Sequence, residues 1–363
     1  MIKAIDFFCG AGGLTRGLLD AGINVLAGVD NDESLRQTYE HNNRPSRFVC
    51  KDIKDIDIEQ LRTELGIQTS DLVLYAACTP CQPFSTLNKL KGEDNRKFLL
   101  LAFAELVKAS PPDFILVENV PGLSNAYGKA IYEKFLTILG EVGFIAERTD
   151  AALLDAHNFG VPQVRKRFIL ISSRHNTIKL PEPTYENRPT VRDYLSKFPA
   201  LKDGDESSKY RNHVARKLKG HHIRIVNAVP KNGGSRRDIK DTSILLACHQ
   251  KNPNVHKDVF GRMSWDGPSP TLTCRCTDVY CGRFIHPEQD RGISLREAAS
   301  LQTFADNYEF FGNFQKISRQ IGNAVPVKLA EKLGNSVIDA SKLLIGKTND
   351  QFSPSDTVST TNQ

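Results

Sequence analysis

Apolar residues keep two rhythms up to about residue 175. Short β-branched or aromatic runs (IKAIDFF, NVLAGVD, DLVLYAA, DFILVENV, RFILISS) alternate with LTRGLLDAG, SLRQTYEHN, FLLLAFAELVKAS and IYEKFLTILGEVG, where apolar positions recur at three-to-four spacing. This alternation predicts βαβ units, hence an α/β fold with a mostly parallel sheet and helices on both faces. Near residue 176 the texture changes. Residues 176–285 are polar, rich in Pro, Gly, Lys and Arg, and hold no sustained helical period, which predicts a second, smaller, irregular domain. Order returns at ISLREAASLQTF and at AVPVKLAEKLGNSVIDASKLLI, so 286–345 are expected to rejoin the domain formed by 1–175. Residues 346–363 lack a core pattern and are expected to be a disordered tail. A chain of 363 residues agrees with two domains, and no internal repeat is visible.

Charge sharpens the division. The whole chain carries 48 Lys and Arg against 42 Asp and Glu, but residues 174–283 alone hold 21 against 11. One contiguous third is basic and the remainder mildly acidic, which suits a polyanion partner or simply a solvated basic surface. No apolar stretch approaches the roughly 20 residues that span a bilayer, so no membrane association is expected. MIKAIDFF is too short for a signal-peptide core and reads as a strand. Eight cysteines in this length are no disulfide framework; they are expected to stay reduced, in the cytoplasm.

Four constellations carry candidate chemistry. In DFFCGAGGLTRGL a strand runs into a turn with Gly10, Gly12 and Gly13 and then a helix, a geometry that lets backbone approach a ligand. Asp30 ends the next strand, where a carboxylate can accept from ribose hydroxyls. Thr15 occupies the place of the third glycine in G-x-G-x-x-G, so a pyrophosphate is poorly matched. A nucleoside cofactor without phosphates, such as S-adenosylmethionine, fits better; an ordinary tight turn would also explain the motif. In DLVLYAACTPCQPFS, Cys81 follows the C-terminal end of a buried strand, where open α/β sheets place ligands. It is a nucleophile, half of a redox pair with Cys78, or a buried thiol. Pro80 and Pro83 bracket it and argue against the redox pair, leaving Cys78 as a small packed residue. The polar stretch from Gln82 to Lys97 reads as a mobile loop. In FILVENV, Glu118 is a half-buried acid or a surface carboxylate. In QVRKR, Gln163, Arg165 and Arg167 alternate into a strand and share a face, as a cationic site or a polar edge. Cys248, His249, Cys274, Cys276 and Cys281 lack paired zinc-knuckle spacing, so no metal is expected.

The ordered set DFFCGAGG, PCQPFS, ENV, QVRKR and QIGNAVP closely resembles the DNA (cytosine-5)-methyltransferases of bacterial restriction–modification systems, over about residues 2–345. The resemblance implies a Rossmann-like methyltransferase domain, a smaller target-recognition domain at 176–285, and S-adenosylmethionine as methyl donor. It implies Phe8, Ala11, Gly12 and Gly13 at the cofactor turn, Asp30 at the ribose, Asp52 and Ile53 at the adenine, and Asn323 returning to the pocket. Cys81 matches the nucleophile, Glu118 the acid on the cytosine ring, and Arg165 and Arg167 the arginines of QxRxR. Arg296, Glu297 and Gln302 match a motif that packs the two domains together. Thr79, Cys9 and Ala305 depart from the usual residues without touching an essential group.

The chemistry accounts for the residue types. Carbon 5 of cytosine is a poor nucleophile; thiolate addition at carbon 6, with protonation of nitrogen 3, turns the ring into an enamine. A thiol of ordinary pKa, about 8.5, is partly ionised near neutrality, whereas a serine alkoxide is scarcely present. A stacked base hides carbon 6, so the target must swing out of the helix at a cost of a few kcal/mol. The expected partner is double-stranded DNA, read by 176–285 through groups such as Arg236, Arg237 and Arg262. The Gly233–Ser235 turn is a groove-entering loop or a hairpin turn. A monomer is expected, with a cognate restriction endonuclease acting separately. The rivals are a tRNA cytosine methyltransferase, a nicotinamide oxidoreductase on the same glycine turn, and an inactive DNA-binding relative.

Overall fold

The computed structural model describes residues 1–80, 98–125 and 128–350, the last six of these by backbone alone. The chain alternates strands and helices in its first half: β1 (Lys3–Phe7), α1 (Gly13–Asp20), β2 (Asn24–Asp30), α2 (Arg36–Asn42), β3 (Arg47–Cys50), α3 (Ile58–Glu64), β4 (Val73–Cys78), α4 (Leu99–Ala109), β5 (Phe114–Asn119), α5 (Lys129–Gly140), β6 (Thr149–Asp155) and β7 (Lys166–Ser173). The strands form one seven-stranded sheet in the order β3-β2-β1-β4-β5-β7-β6. The five strands from β3 to β5 are parallel; β7 runs antiparallel to both β5 and β6.

Strand alternation sends side chains to two faces. Ile5, Phe7, Tyr75, Ile115 and Val117 pack with Phe103 and Val107 of α4 and Phe135 and Ile138 of α5. Ala4, Val25, Leu74 and Leu116 pack with Leu14 and Leu18 of α1 and with Leu329, Leu333 and Val337. Those last three lie on the C-terminal helix, here α11 (Val327–Asp350). Gly17 lets the two helices close: a Cβ there would sit 2.4 Å from Ala330 Cβ and 2.5 Å from Val327 O. Residues 346–350, expected in a disordered tail, continue the backbone of α11; 351–363 lie outside the described residues.

After β7, Ile178 and Leu180 still pack on the sheet. Beyond them come only short helices, α6 (Val191–Leu195), α7 (Gly220–Ala228) and α8 (Ala247–Lys251). Leu218, Ile225, Val226, Phe260, Val279 and Ile285 make a core of their own. Val191, Leu195, Leu272, Cys276 and Phe284 instead pack with α9 (Leu295–Leu301) and α10 (Phe314–Asn323).

Helix α9 locks this junction. Ser294 and Glu297 form a capping box, and both carboxylate oxygens of Glu297 accept from Arg291 at 2.7 Å. Burial alone would raise the Glu297 carboxyl, but the Arg291 guanidinium holds it down at about 2. Gln302 donates to the carbonyls of Ile321 and Ala324, and Arg296 to those of Arg211 and Tyr308. Of these three residues, Arg296 bonds into 176–285, at Arg211, while the bonds of Glu297 to Arg291 and of Gln302 to Ile321 and Ala324 lie within 286–345. Among the described residues no helix is long and apolar enough to cross a membrane.

Candidate active site

A cavity of about 890 Å³ opens beyond the C-terminal ends of β1, β2, β4 and β5, where a parallel sheet leaves loops free to carry function. The turn after β1 forms its floor. Phe8 takes φ 59° and Gly10 φ 55°, and both line the cavity. A Cβ on Gly10 would meet no atom within 4 Å, so this glycine leaves open space for a ligand, and its N–H donates to Asp30 Oδ2 at 3.0 Å. The other Asp30 oxygen accepts from Asp32 N at 3.1 Å. Burial raises the Asp30 carboxyl above its ordinary range.

Two further glycines expected at the cofactor, Gly12 and Gly13, are packed closely by protein. Gly12 and Gly13 do not line the cavity. A Cβ on Gly12 would fall 2.3 Å from Asn43 Nδ2, and one on Gly13 2.4 Å from Val325 O. They are small because protein packs against them from behind. Ala11 lines the cavity, as do Asp52 and Ile53 after β3 and Asn323 at the end of α10. Asp52 caps the short 3-10 turn Ile53–Asp55 by accepting from Lys54 N.

Glu118, the penultimate residue of β5, lines the opposite wall and is 4% exposed. A buried carboxylate needs partners, and the described residues supply two. Arg167 Nε approaches Oε1 at 2.9 Å, and Cys78 Sγ donates to Oε2 at 2.9 Å. Cys78 therefore does more than pack; it shares the acid with Arg167. The next residue, Asn119, donates to Thr79 Oγ1 at 2.6 Å, tying the ends of β4 and β5 together just before Pro80. Cys81 and the stretch from Gln82 to Lys97 lie outside the described residues.

Arg165 lines the cavity too, but it is not placed like Arg167. It is 2% exposed, and its terminal nitrogens donate to the carbonyls of Leu272, Gly322 and Ala324. Its geometry is that of a strut joining the sheet to the far wall, because those carbonyls have no ladder partner. Gln163 shares its face and bonds Gln302 at 2.9 Å.

Sequence reasoning passed over Asp6, buried beneath the glycine turn. Asp6 Oδ2 accepts from Thr15 Oγ1 at 2.6 Å, and Thr15 continues to Tyr39 and Ser46. Burial raises the Asp6 carboxyl to about 7. The signal was available: an acidic residue between apolar neighbours in IKAIDFF, at a strand position facing inward.

Two arginines expected to touch DNA are buried. Arg236 is 1% and Arg262 0% exposed, each bonded to backbone carbonyls; Arg237 is exposed. The Gly233–Ser235 turn is tied down by bonds from Gly233 N to Met263 O and from Arg262 N to Gly234 O, which makes it a packed turn. Cys276 is buried, with its thiol pushed up to about 12 by that burial, while Cys248 and Cys274 are exposed. Among the described residues no three His, Cys, Asp or Glu side chains come together as a metal site.

A nucleoside-sized cavity at parallel strand ends, with Asp30 at the turn and a clamped acid opposite, defines the class of nucleoside-binding α/β enzymes. Within that class, the chain belongs to the C-5 cytosine-specific DNA methylase family, whose profile matches residues 2–339. It is 37% identical over 341 residues to the Type II methylase M.HgiDII of Herpetosiphon aurantiacus, covering 92% of this chain and 94% of that one. It is 31% identical over 339 residues to the Type II methyltransferase M1.HphI of Haemophilus parahaemolyticus, covering 92% and 86%. The fold matches a putative DNA modification methyltransferase encoded within an E. coli prophage, with TM-score 0.70, 24% identity, and coverage of 94% and 100%.

The family's methyl donor is S-adenosylmethionine. The residues here fit it: Gly10 leaves open space at the turn, Asp30 offers a carboxylate and Asp52 and Ile53 line the same wall.

Proposed function

We propose that this chain methylates carbon 5 of one cytosine within a short sequence of double-stranded DNA, as the protective half of a restriction–modification pair. The observation that carries the proposal is Glu118, buried at the cavity wall and clamped by Arg167 and Cys78. Asp30, Asp52 and Ile53, with Phe8, Ala11 and Asn323, would hold the donor. When bound, S-adenosylmethionine supplies an electrophilic methyl group.

The chain's own residues do the rest. Cys81 thiolate adds to carbon 6 of the flipped cytosine, forming an S–C bond, while Glu118 delivers a proton to nitrogen 3. Arg167 fixes the acid's orientation during that transfer. Carbon 5, now enamine-like, would take the methyl group, the donor being left as a neutral thioether. Loss of the carbon 5 proton to solvent then breaks the S–C bond and returns the thiolate, while nitrogen 3 gives its proton back to Glu118. Arg165 holds Leu272, Gly322 and Ala324 in place around the pocket as a positioning residue.

Residues 1–175 and 286–345 would form the catalytic domain and 176–285 would recognise the target; the separate core of Leu218, Ile225, Phe260 and Ile285 supports this division. The protein would act in the cytoplasm as a monomer, because a methylase can modify one strand at a time. Its cognate endonuclease would act separately. Sequencing methylated cytosines in DNA from a host expressing the protein tests this directly. One recurrent sequence bearing 5-methylcytosine is expected; unmodified DNA with methylated tRNA would overturn it in favour of the tRNA reading.

A further inference from the structure

Beside the catalytic cavity lies a second one, of about 530 Å³, lined by Arg216, Arg275, Lys316 and Arg319 around the single carboxylate Asp278. The two cavities share Cys274 and Arg319, so one groove runs from the catalytic centre toward the strandless region. Asp278 is 3% exposed and accepts from both neighbouring arginines, from Arg275 Nε at 2.8 Å and from Arg216 Nη1. Arg275 is fixed twice more. Its Nη2 donates to Tyr280 Oη at 2.7 Å, and its guanidinium lies 4.9 Å from the centre of the Tyr280 ring. The side chain is nevertheless 52% exposed.

The turn that carries Arg275 is itself anchored. Cys276 is fully buried against Ser318, Ser318 Oγ donates to Cys274 O, and Gly322 lies so close to Thr273 that a Cβ would overlap its carbonyl. Residues 271–274 line the catalytic cavity. Arg275 thus stands one residue beyond its rim, within about 10 Å of chain from Leu272, or roughly three base-pair steps.

We propose that Arg275 reads a guanine within roughly three base pairs of the target cytosine, using a guanidinium whose plane is set in advance by Asp278 and Tyr280. With Nε and one N–H of Nη2 engaged, the outer edge of the fork remains, and that edge matches guanine O6 and N7. A phosphate contact would need no such fixing, and exposed Lys316 and Arg319 are placed for phosphates along the same groove. The inference rests on the DNA methylase reading above.

Mapping methylated sites for wild type, Arg275→Ala, Tyr280→Phe and Lys316→Ala separates the two. A wild type that leaves DNA unmodified sinks the functional reading itself. Given a wild-type sequence, Arg275→Ala should lose about 10- to 100-fold discrimination at one G·C pair while holding its preference elsewhere. Tyr280→Phe, which keeps the ring, should loosen the same pair less, and its result decides the matter should Arg275→Ala not fold. Lys316→Ala should slow all sequences alike. Unchanged discrimination at every pair in both Arg275→Ala and Tyr280→Phe, or a loss uniform across sequences, would overturn the proposal.

Discussion

The sheet and the strandless region solve one problem in opposite ways. Every buried carbonyl needs a donor. In the sheet the ladder supplies it, so polar side chains are released to the strand ends, where Asp30 and Glu118 face the cavity. Between residues 181 and 294 no named strand exists among the described residues, and arginines take over. Arg262 donates to the carbonyls of Val226, Val229, His286 and Gln289 and pairs with Asp290. Arg291 donates to Leu201 and Gly292, and Arg236 to Val255. Part of the basic surplus in this stretch is therefore internal scaffolding. Composition counts charges without saying which face they take, and here that changed the candidate DNA contacts from Arg236 and Arg262 to exposed groups at the groove.

The comparison breaks most visibly at Arg262. Arg262→Ala removes the side-chain donor of the Val229 and His286 carbonyls, takes one of two donors from those of Val226 and Gln289 and leaves Asp290 with Lys231 alone, and should cost about 2–4 kcal/mol, read as a lower urea midpoint. Arg262→Lys should restore less than half, since one ammonium cannot span those acceptors. A midpoint unchanged in Arg262→Ala would deny the strut role.

On the sheet side the matching perturbation is smaller and kinetic. Cys78→Ala removes one of the two partners of Glu118 and should lower kcat several-fold, about 1 kcal/mol, without moving the methylated sequence. Cys78→Ser, which keeps a donor, should recover most of that loss. Equal rates for wild type and Cys78→Ala would show that Arg167 alone holds the acid.

Smallest is the response to pH, and the two regions should move oppositely. Burial lowers His286 to about 4 from an ordinary 6.5, so its contribution is full above 6.5 and is lost as pH falls toward 4. Glu297, held at about 2, extends that loss from 4.5 downward. Asp6, raised to about 7, contributes fully below 3.8 and loses its contribution as pH rises to about 7. Trp265 is the chain's one tryptophan and packs edge-on to His286 at 5.2 Å, so its fluorescence reports the strandless side. In the wild type the two contributions should nearly cancel between pH 6.5 and 5 and leave its urea midpoint almost flat, whereas in Asp6→Asn, where the opposing sheet contribution is absent, the midpoint should fall. A flat midpoint in both proteins would contradict the assignment.

What was legible in the sequence follows the same divide. β1, β4, β5 and β7 bury nearly every residue and β2 more than half, and all five announce themselves as apolar runs. β3 has four residues and β6 is half exposed along its length, so neither gave a run to read. The cavity's acids were visible because Asp30 and Glu118 each stand at the end of an apolar run, NVLAGVD and FILVENV. Which glycine faces the ligand was not: Gly10, Gly12 and Gly13 look alike until backbone dihedrals and the neighbours Asn43 and Val325 are known. Cys78 carried no local mark either, since its partner lies forty residues on.

The central claim is that a cysteine bonds covalently to the cytosine ring opposite Glu118. Duplex DNA bearing 5-fluorocytosine at the mapped target, incubated with S-adenosylmethionine, tests it most directly, because fluorine in place of the departing hydrogen prevents release of the thiolate. The account predicts a protein–DNA adduct that survives denaturation, maps to Cys81, and is missing in Cys81→Ala. Methylation of ordinary cytosine by Cys81→Ala at the wild-type rate, or wild-type protein that leaves the fluorinated duplex untrapped, would contradict it.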